Sequence, residues 1–275
     1  MKRTLWLMMA MGVTVLGMLL GLQSRLIFYP ERLPADFDFE LQPGAEERII
    51  ETADGQRISA LHYRAPAPSG VVLYFHGNAG SLRSWKAVAA DIVPLGYDVF
   101  IVDYRGFGKS SGRITEAGLY EDGRAAYGAL LALGYAGEDV ILYGRSIGSG
   151  VATQLATEVS ARALVLESPF TRLLDVAREQ MPWALPQLTL RFHFNNAEKL
   201  AGVELPVLLL HGSRDELIGP HHSRALAGVL EERANLVIVE GGGHNDLPEF
   251  ERYGQALHAF LSGLSAAKRS GASPL

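Results

Sequence analysis

Val140-Ile141-Leu142-Tyr143-Gly144-Arg145-Ser146-Ile147-Gly148-Ser149-Gly150 is the stretch around which the rest of the chain can be read. Its first four residues are an apolar run, β-branched at the start, of the kind that a strand buried on both faces requires. Residues 144–148 follow without a gap, and residues 151–156 then take up helical spacing. A serine between glycines at a strand-to-helix junction has the form of the G-x-S-x-G elbow. So tight a turn strains the serine backbone, and a Cβ at either flanking glycine is expected to strike neighbouring elements. The turn holds Ser146 Oγ above the sheet, with a helix N-terminus beneath any negative charge that develops there. On the pentapeptide alone, the competing reading is a glycine-rich turn whose serine merely caps a helix.

Outward from this stretch, strand-like runs recur at 47–52, 57–64, 71–76, 97–103, 140–143, 163–167, 206–211 and 236–240. Asp54-Gly55 between the first two is a hairpin signal, so these two are expected to pair antiparallel. The later runs are separated by helical patterns at 81–95, 115–133, 147–159, 173–180, 221–231 and 247–264. This alternation predicts an α/β fold: an eight-stranded, mostly parallel sheet with helices on both faces. Residues 171–200 break the rhythm after the sixth strand with apolar and aromatic residues interrupted by Pro182 and Pro186. They are read as a short cap over the pocket mouth, favouring an apolar acyl group, against the alternative of an outer helix on the sheet. Residues 26–46 read as a linker, 47–264 as the domain and 265–275 as a frayed, disordered tail.

The 275 residues carry a net charge of −5, and no basic excess points to nucleic acid. The absence of cysteine excludes disulfides, a thiolate nucleophile and cysteine-ligated metal. Residues 5–22 are 18 residues without a charge, preceded by Lys2 and Arg3. That length just suffices to span a bilayer as a helix. The flanking charges favour a single-pass signal anchor within residues 1–25, with the domain on the extracytoplasmic side. A cleaved signal peptide is the weaker reading, because 21–24 makes a poor cleavage site.

A serine needs a base within hydrogen-bond reach. His244, in a glycine-rich loop after the last strand, can supply an imidazole that accepts and returns a proton. Asp215, in the loop after the preceding strand, is the carboxylate chosen to orient it. The chain order serine, aspartate, histidine and the carboxyl edge of the sheet suit such a site. Glu167 is the alternative acid, Glu216 lies next to Asp215, and Asp246 is read as a helix cap. His76 is assigned to shaping its loop and His211 to satisfying a backbone group. His221 and His222 lack a second pair of ligands nearby in sequence, so no metal site is expected. The oxyanion donors are expected to be the backbone N–H groups of Ile147 and Asn78. Neither glycine-rich loop has the spacing of a phosphate cradle, and no cofactor is implied.

The chain resembles the serine-hydrolase branch of the α/β-hydrolase superfamily. More narrowly, it looks like the membrane-anchored branch that includes the eukaryotic α/β-hydrolase-domain depalmitoylases and their bacterial relatives. The stretches that carry the resemblance are Tyr74-Phe75-His76-Gly77-Asn78-Ala79-Gly80, residues 103–112 and 144–150, Glu167-Ser168-Pro169-Phe170, residues 210–215 and Gly243-His244-Asn245. The resemblance implies an α/β-hydrolase fold, Ser146, Asp215 and His244 as a catalytic triad, and Asn78 with Ile147 as the oxyanion hole. It gives residues 103–112 a structural role. The depalmitoylases carry an acylated, cysteine-rich N-terminus, whereas this chain has no cysteine and a hydrophobic segment instead. The expected activity is a membrane-anchored carboxylic-ester or thioester hydrolase with a small-molecule or lipid-like acyl substrate. The alternatives are a peptidase or acyltransferase on the same fold, or a non-catalytic membrane-tethered binding protein.

Overall fold

The uncharged apolar runs form the centre of one eight-stranded sheet in a computed structural model that describes Trp6 and residues 23–270. The strands are β1 (Ala45–Glu51), β2 (Arg57–Tyr63), β3 (Val71–Phe75), β4 (Asp98–Val102), β5 (Val140–Arg145), β6 (Ala163–Glu167), β7 (Val207–Gly212) and β8 (Ala234–Val239). Their order across the sheet is β1-β2-β4-β3-β5-β6-β7-β8. Only β2 runs against its neighbours, pairing antiparallel with β1 and β4. The hairpin closes at Asp54-Gly55, where Gly55 takes φ +77° and its N–H donates to the Thr52 carbonyl.

Alternation along the central strands feeds two cores. Val71, Leu73, Phe75, Val140 and Leu142 face one side; Val72, Tyr74, Ile141 and Tyr143 face the other. The first side is covered by α3 (Glu116–Ala132), α4 (Gly148–Ala156) and α8 (His221–Leu230). The second is covered by α1 (Leu82–Trp85), α2 (Ala89–Ile92) and α9 (Glu251–Ser270). Thr115 caps α3, its Oγ1 accepting the Gly118 N–H at 3.1 Å. Between β6 and β7 lie α5 (Leu173–Gln180), α6 (Pro186–Thr189) and α7 (Asn196–Leu200). The strand order reverses beside β3, since β4 lies on one side of it and β5 on the other. Such a switch opens a crevice at the carboxyl ends of the strands, and the loops after β3 and β5 both arrive there.

Several elements differ from the sequence expectation. The helix foreseen over 81–95 is split by 3₁₀ turns at Lys86–Val88 and Val93–Leu95, the second at Pro94, which has no N–H to continue a helix. The stretch 26–46 lies along the domain with Phe28 and Phe39 buried. Helix α9 continues to Ser270, and Ser265 Oγ is within 2.7 Å of the buried Tyr97 hydroxyl. Asp246 does not cap a helix with its side chain; Oδ1 accepts the Gly243 N–H at 2.6 Å and braces the glycine turn. Among the described residues no helix is long and apolar enough to cross a membrane. The expected anchor at 5–22 lies outside the described residues, apart from Trp6.

Candidate active site

Ser146 sits at φ +53°, in the left-handed region that a non-glycine residue enters at a cost of about 1–3 kcal/mol. The surroundings hold it there: its N–H donates to the Glu167 carbonyl at 2.8 Å, and α4 starts two residues later. Packing explains the flanking glycines. A Cβ on Gly148 would lie 2.1 Å from the Phe75 carbonyl oxygen, and one on Gly144 would lie 2.5 Å from the Gly148 carbonyl oxygen. Strand β5 therefore has to turn sharply into α4, with the serine at the apex.

His244 Nε2 lies 3.0 Å from Ser146 Oγ, and His244 Nδ1 lies 2.7 Å from Asp215 Oδ2. The loops after β5, β7 and β8 thus bring the three side chains into one row. Asp215 is rigidly held, its Oδ1 accepting the backbone N–H groups of Leu217 and Ile218 at 3.0 and 2.8 Å. Burial alone would raise its carboxyl. Hydrogen bonds from His211 and His244 and the Ile218 N–H outweigh that, and hold it well below the usual carboxylate range. A charged Asp215 keeps the imidazole proton on Nδ1, so the Nε2 lone pair faces the serine hydroxyl.

Sequence reasoning gave Arg145 no role, yet it ties the histidine loop to the sheet. Its Nη2 donates to the His244 carbonyl and to Asn245 Oδ1, both at 3.1 Å. Its Nε lies 3.0 Å from Glu167 Oε1, and the guanidinium lies 5.0 Å from the Trp85 ring centroid. Glu167 Oε2 accepts from the hydroxyls of Tyr143 and Tyr253 at 2.6 and 3.2 Å. Glu167, the alternative acid, is thereby committed to this clamp. Arg145→Met is expected to cost about 3–5 kcal/mol of stability, because it strands a buried carboxylate. Urea unfolding would show this, and adding Glu167→Gln should recover part of the loss.

The signal missed at Arg145 and Glu167 was register: the two are directly paired neighbours on β5 and β6. His211 also does more than satisfy a backbone group. Its Nε2 lies 2.7 Å from the Ile218 carbonyl and 3.3 Å from Asp215 Oδ2, and its Nδ1 lies 2.7 Å from Ser223 Oγ. His76 reaches beyond its own loop: Nδ1 lies 2.7 Å from the Gly77 carbonyl, while Nε2 lies 3.3 Å from Asp103 Oδ1 in the loop after β4. Glu179 reaches both His221 and His222, at 3.0 and 3.3 Å, a carboxylate partner from the cap that sequence spacing did not reveal. That cluster lines a separate surface depression.

Asn78 and Ile147 both line the cavity above Ser146, and among the described residues neither backbone N–H has a protein acceptor. The Asn78 loop is fixed from an unforeseen direction. Asn78 Nδ2 donates to the Ile27 carbonyl at 2.7 Å, the Tyr29 N–H donates to the Asn78 carbonyl at 2.8 Å, and Tyr29–Pro30 pairs in parallel with Ala79–Gly80. The cavity measures about 510 Å³, within the range of ligand clefts. Leu26 and Ile27 form one wall, Leu173 and Val176 of α5 another, and no charged side chain among the described residues lines it.

The chain is 34% identical over 220 residues to human alpha/beta hydrolase domain-containing protein 17B, covering 78% of this chain and 74% of that protein. The chain belongs to the α/β-hydrolase superfamily. Within this α/β-hydrolase, residues 66–196 match the family described as serine aminopeptidase, S33. It is also 35% identical over 231 residues to a Mycobacterium tuberculosis protein described as uncharacterized, covering 82% of this chain and 81% of that one. In fold, the α/β-hydrolase superposes on the Pyrococcus furiosus esterase Pf2001 with a TM-score of 0.70 at 19% identity, covering 86% of this chain and 97% of that one.

Proposed function

We propose that the protein is a serine hydrolase that cleaves carboxylic esters or thioesters of apolar acyl groups through an acyl-Ser146 intermediate. The observation that carries this reading is the position of Ser146. Its hydroxyl is 3.0 Å from an imidazole nitrogen and opens onto a cavity lined by uncharged, largely apolar side chains. In the proposed cycle Ser146 Oγ attacks the acyl carbonyl as His244 Nε2 takes the hydroxyl proton. The oxygen of the tetrahedral intermediate collects negative charge and accepts from the N–H groups of Asn78 and Ile147. His244 then protonates the leaving alcohol or thiol. Water enters, gives its proton to His244 and attacks the acyl-serine carbonyl. Collapse releases the carboxylic acid and returns the proton to Ser146 Oγ. Asp215 holds the imidazole in its tautomer and balances the imidazolium throughout.

Residues 5–22 act in this reading as a single-pass anchor that keeps the hydrolase at a membrane, with the domain on the extracytoplasmic side. The uncharged lining favours acyl esters over substrates bearing an α-ammonium group, as an aminopeptidase would require. A p-nitrophenyl ester series tests the acyl preference. With the full chain in detergent, kcat/KM is expected to climb as the acyl chain lengthens from acetyl until the cavity is filled. A profile that is flat, or highest for acetyl, would count against an apolar acyl pocket.

A further inference from the structure

The cavity mouth has a rim that a water-facing surface does not explain. Trp183 and Leu188 in the cap are 74% and 72% exposed, and Leu185 between them is 53% exposed. Across the opening, Tyr29 and Leu26 of the N-terminal segment are 59% and 47% exposed, and Leu217, beside Asp215's loop, is 45% exposed. Trp183, Leu26, Tyr29 and Leu217 also line the cavity itself, so the patch continues the acyl pocket outward. Exposed apolar side chains gathered about a cavity mouth are the mark of an interaction site. Tryptophan and tyrosine beside aliphatic side chains is the composition that settles at a bilayer interface.

The chain's own connectivity selects the occupant. The charge-free stretch 5–22 ends one residue before Gln23. Gln23 is buried and held by the cap at both ends of its amide: Nε2 donates to the Thr189 carbonyl at 2.8 Å, and Oε1 accepts the Arg191 N–H at 2.5 Å. Residues 5–22 therefore join the domain at the cavity mouth. A bilayer that takes up that stretch is brought up against the rim.

We infer that the rim formed by Trp183, Leu185, Leu188, Leu26, Tyr29 and Leu217 docks into the lipid surface, so that acyl chains enter the cavity directly from the bilayer. Docking sinks the rim side chains to the depth of an interfacial apolar face. An acyl group can then pass from lipid to pocket without crossing water. The substrate half of this inference rests on the acyl-hydrolase reading; the docking half does not.

The chain has no cysteine, so single nitroxide labels can be placed without background. The full chain carrying Trp183→Cys or Leu188→Cys would be labelled, reconstituted in phosphatidylcholine vesicles and probed with oxygen and a water-soluble nickel chelate. Leu131→Cys serves as the reference, an exposed side chain in the last turn of α3, at the opposite edge of the sheet. Labels at 183 and 188 are expected to gain oxygen collisions and lose nickel collisions, while the label at 131 stays water-like. Nickel accessibility equal at all three positions overturns docking. So does shielding of 183 and 188 from both reagents, which would show a second copy of the chain on the patch. These readouts hold even if the protein hydrolyses nothing. For delivery, Leu185→Ser with Leu188→Ser should keep turnover of a short soluble ester and lower that of a vesicle-embedded long-chain ester about tenfold. Undiminished turnover of the embedded ester overturns delivery from the bilayer.

Discussion

Ser146→Ala is expected to lower kcat for a p-nitrophenyl ester by about 10⁵–10⁶-fold, with the folded structure retained. The size follows from the serine's position in the proposed cycle. Without Oγ there is no atom to carry the acyl group and nothing for His244 Nε2 to deprotonate. Activity left over from the oxyanion donors and substrate binding alone is of the order of 10³–10⁴ over water. Stability should change little, within about 1 kcal/mol, because among the described residues the side chain's hydrogen bond is to His244 and alanine meets the same backbone strain. Steady-state kinetics with a parallel thermal melt would check both halves. Turnover within tenfold of the parent would remove Ser146 from the chemistry.

Asp215→Asn is expected to lower kcat by about 10⁴-fold. The asparagine amide can present an N–H to His244 Nδ1, and that favours the tautomer with its proton on Nε2. The imidazole would then point a donor at Ser146 Oγ and could not take its proton. KM should move far less than kcat, since the Asp215 side chain does not line the cavity. The same variant reports on stability. The Asp215 carboxyl is held below its unfolded value, so its contribution is fully present above the ordinary carboxylate range near pH 4. The contribution fades as pH falls below that range and is gone once pH is below the depressed folded value. The stability gap between parent and Asp215→Asn should therefore shrink as pH falls from about 4 into strong acid. Urea midpoints at each pH would show it, and a gap unchanged from about pH 4 down into strong acid would contradict the hydrogen bonding assigned to Asp215.

The parts of this protein that could be read in advance are those in which function is local to one strand end. The elbow announces itself because strand, tight turn and helix are contiguous, and the glycines at 144 and 148 are required by backbone oxygens a short distance away. Asp215 and His244 each follow their own strand, and parallel strands deliver such loops to one edge. What resisted reading was contact between distant segments. Asn78 and Ile27 are 51 residues apart, and it is the burial of Phe28 together with the pairing of Tyr29–Pro30 on Ala79–Gly80 that brings the linker-like segment to the Asn78 loop. The Arg145 and Glu167 clamp depends on the register of β5 against β6, which a pair of apolar runs leaves open. Asp246 was misread because its position before an apolar residue imitates a cap, whereas the neighbouring glycine turn claims its carboxylate.

The most direct test of the proposed chemistry is to catch the acyl group on the enzyme. The full chain would be mixed with a slowly turned-over long-chain thioester, quenched in acid within the first turnover, and examined by intact mass and peptide mapping. The account predicts one acyl adduct per chain, on the peptide containing Ser146. Steady hydrolysis with no adduct at any quench time, or an adduct on a different side chain, would contradict it.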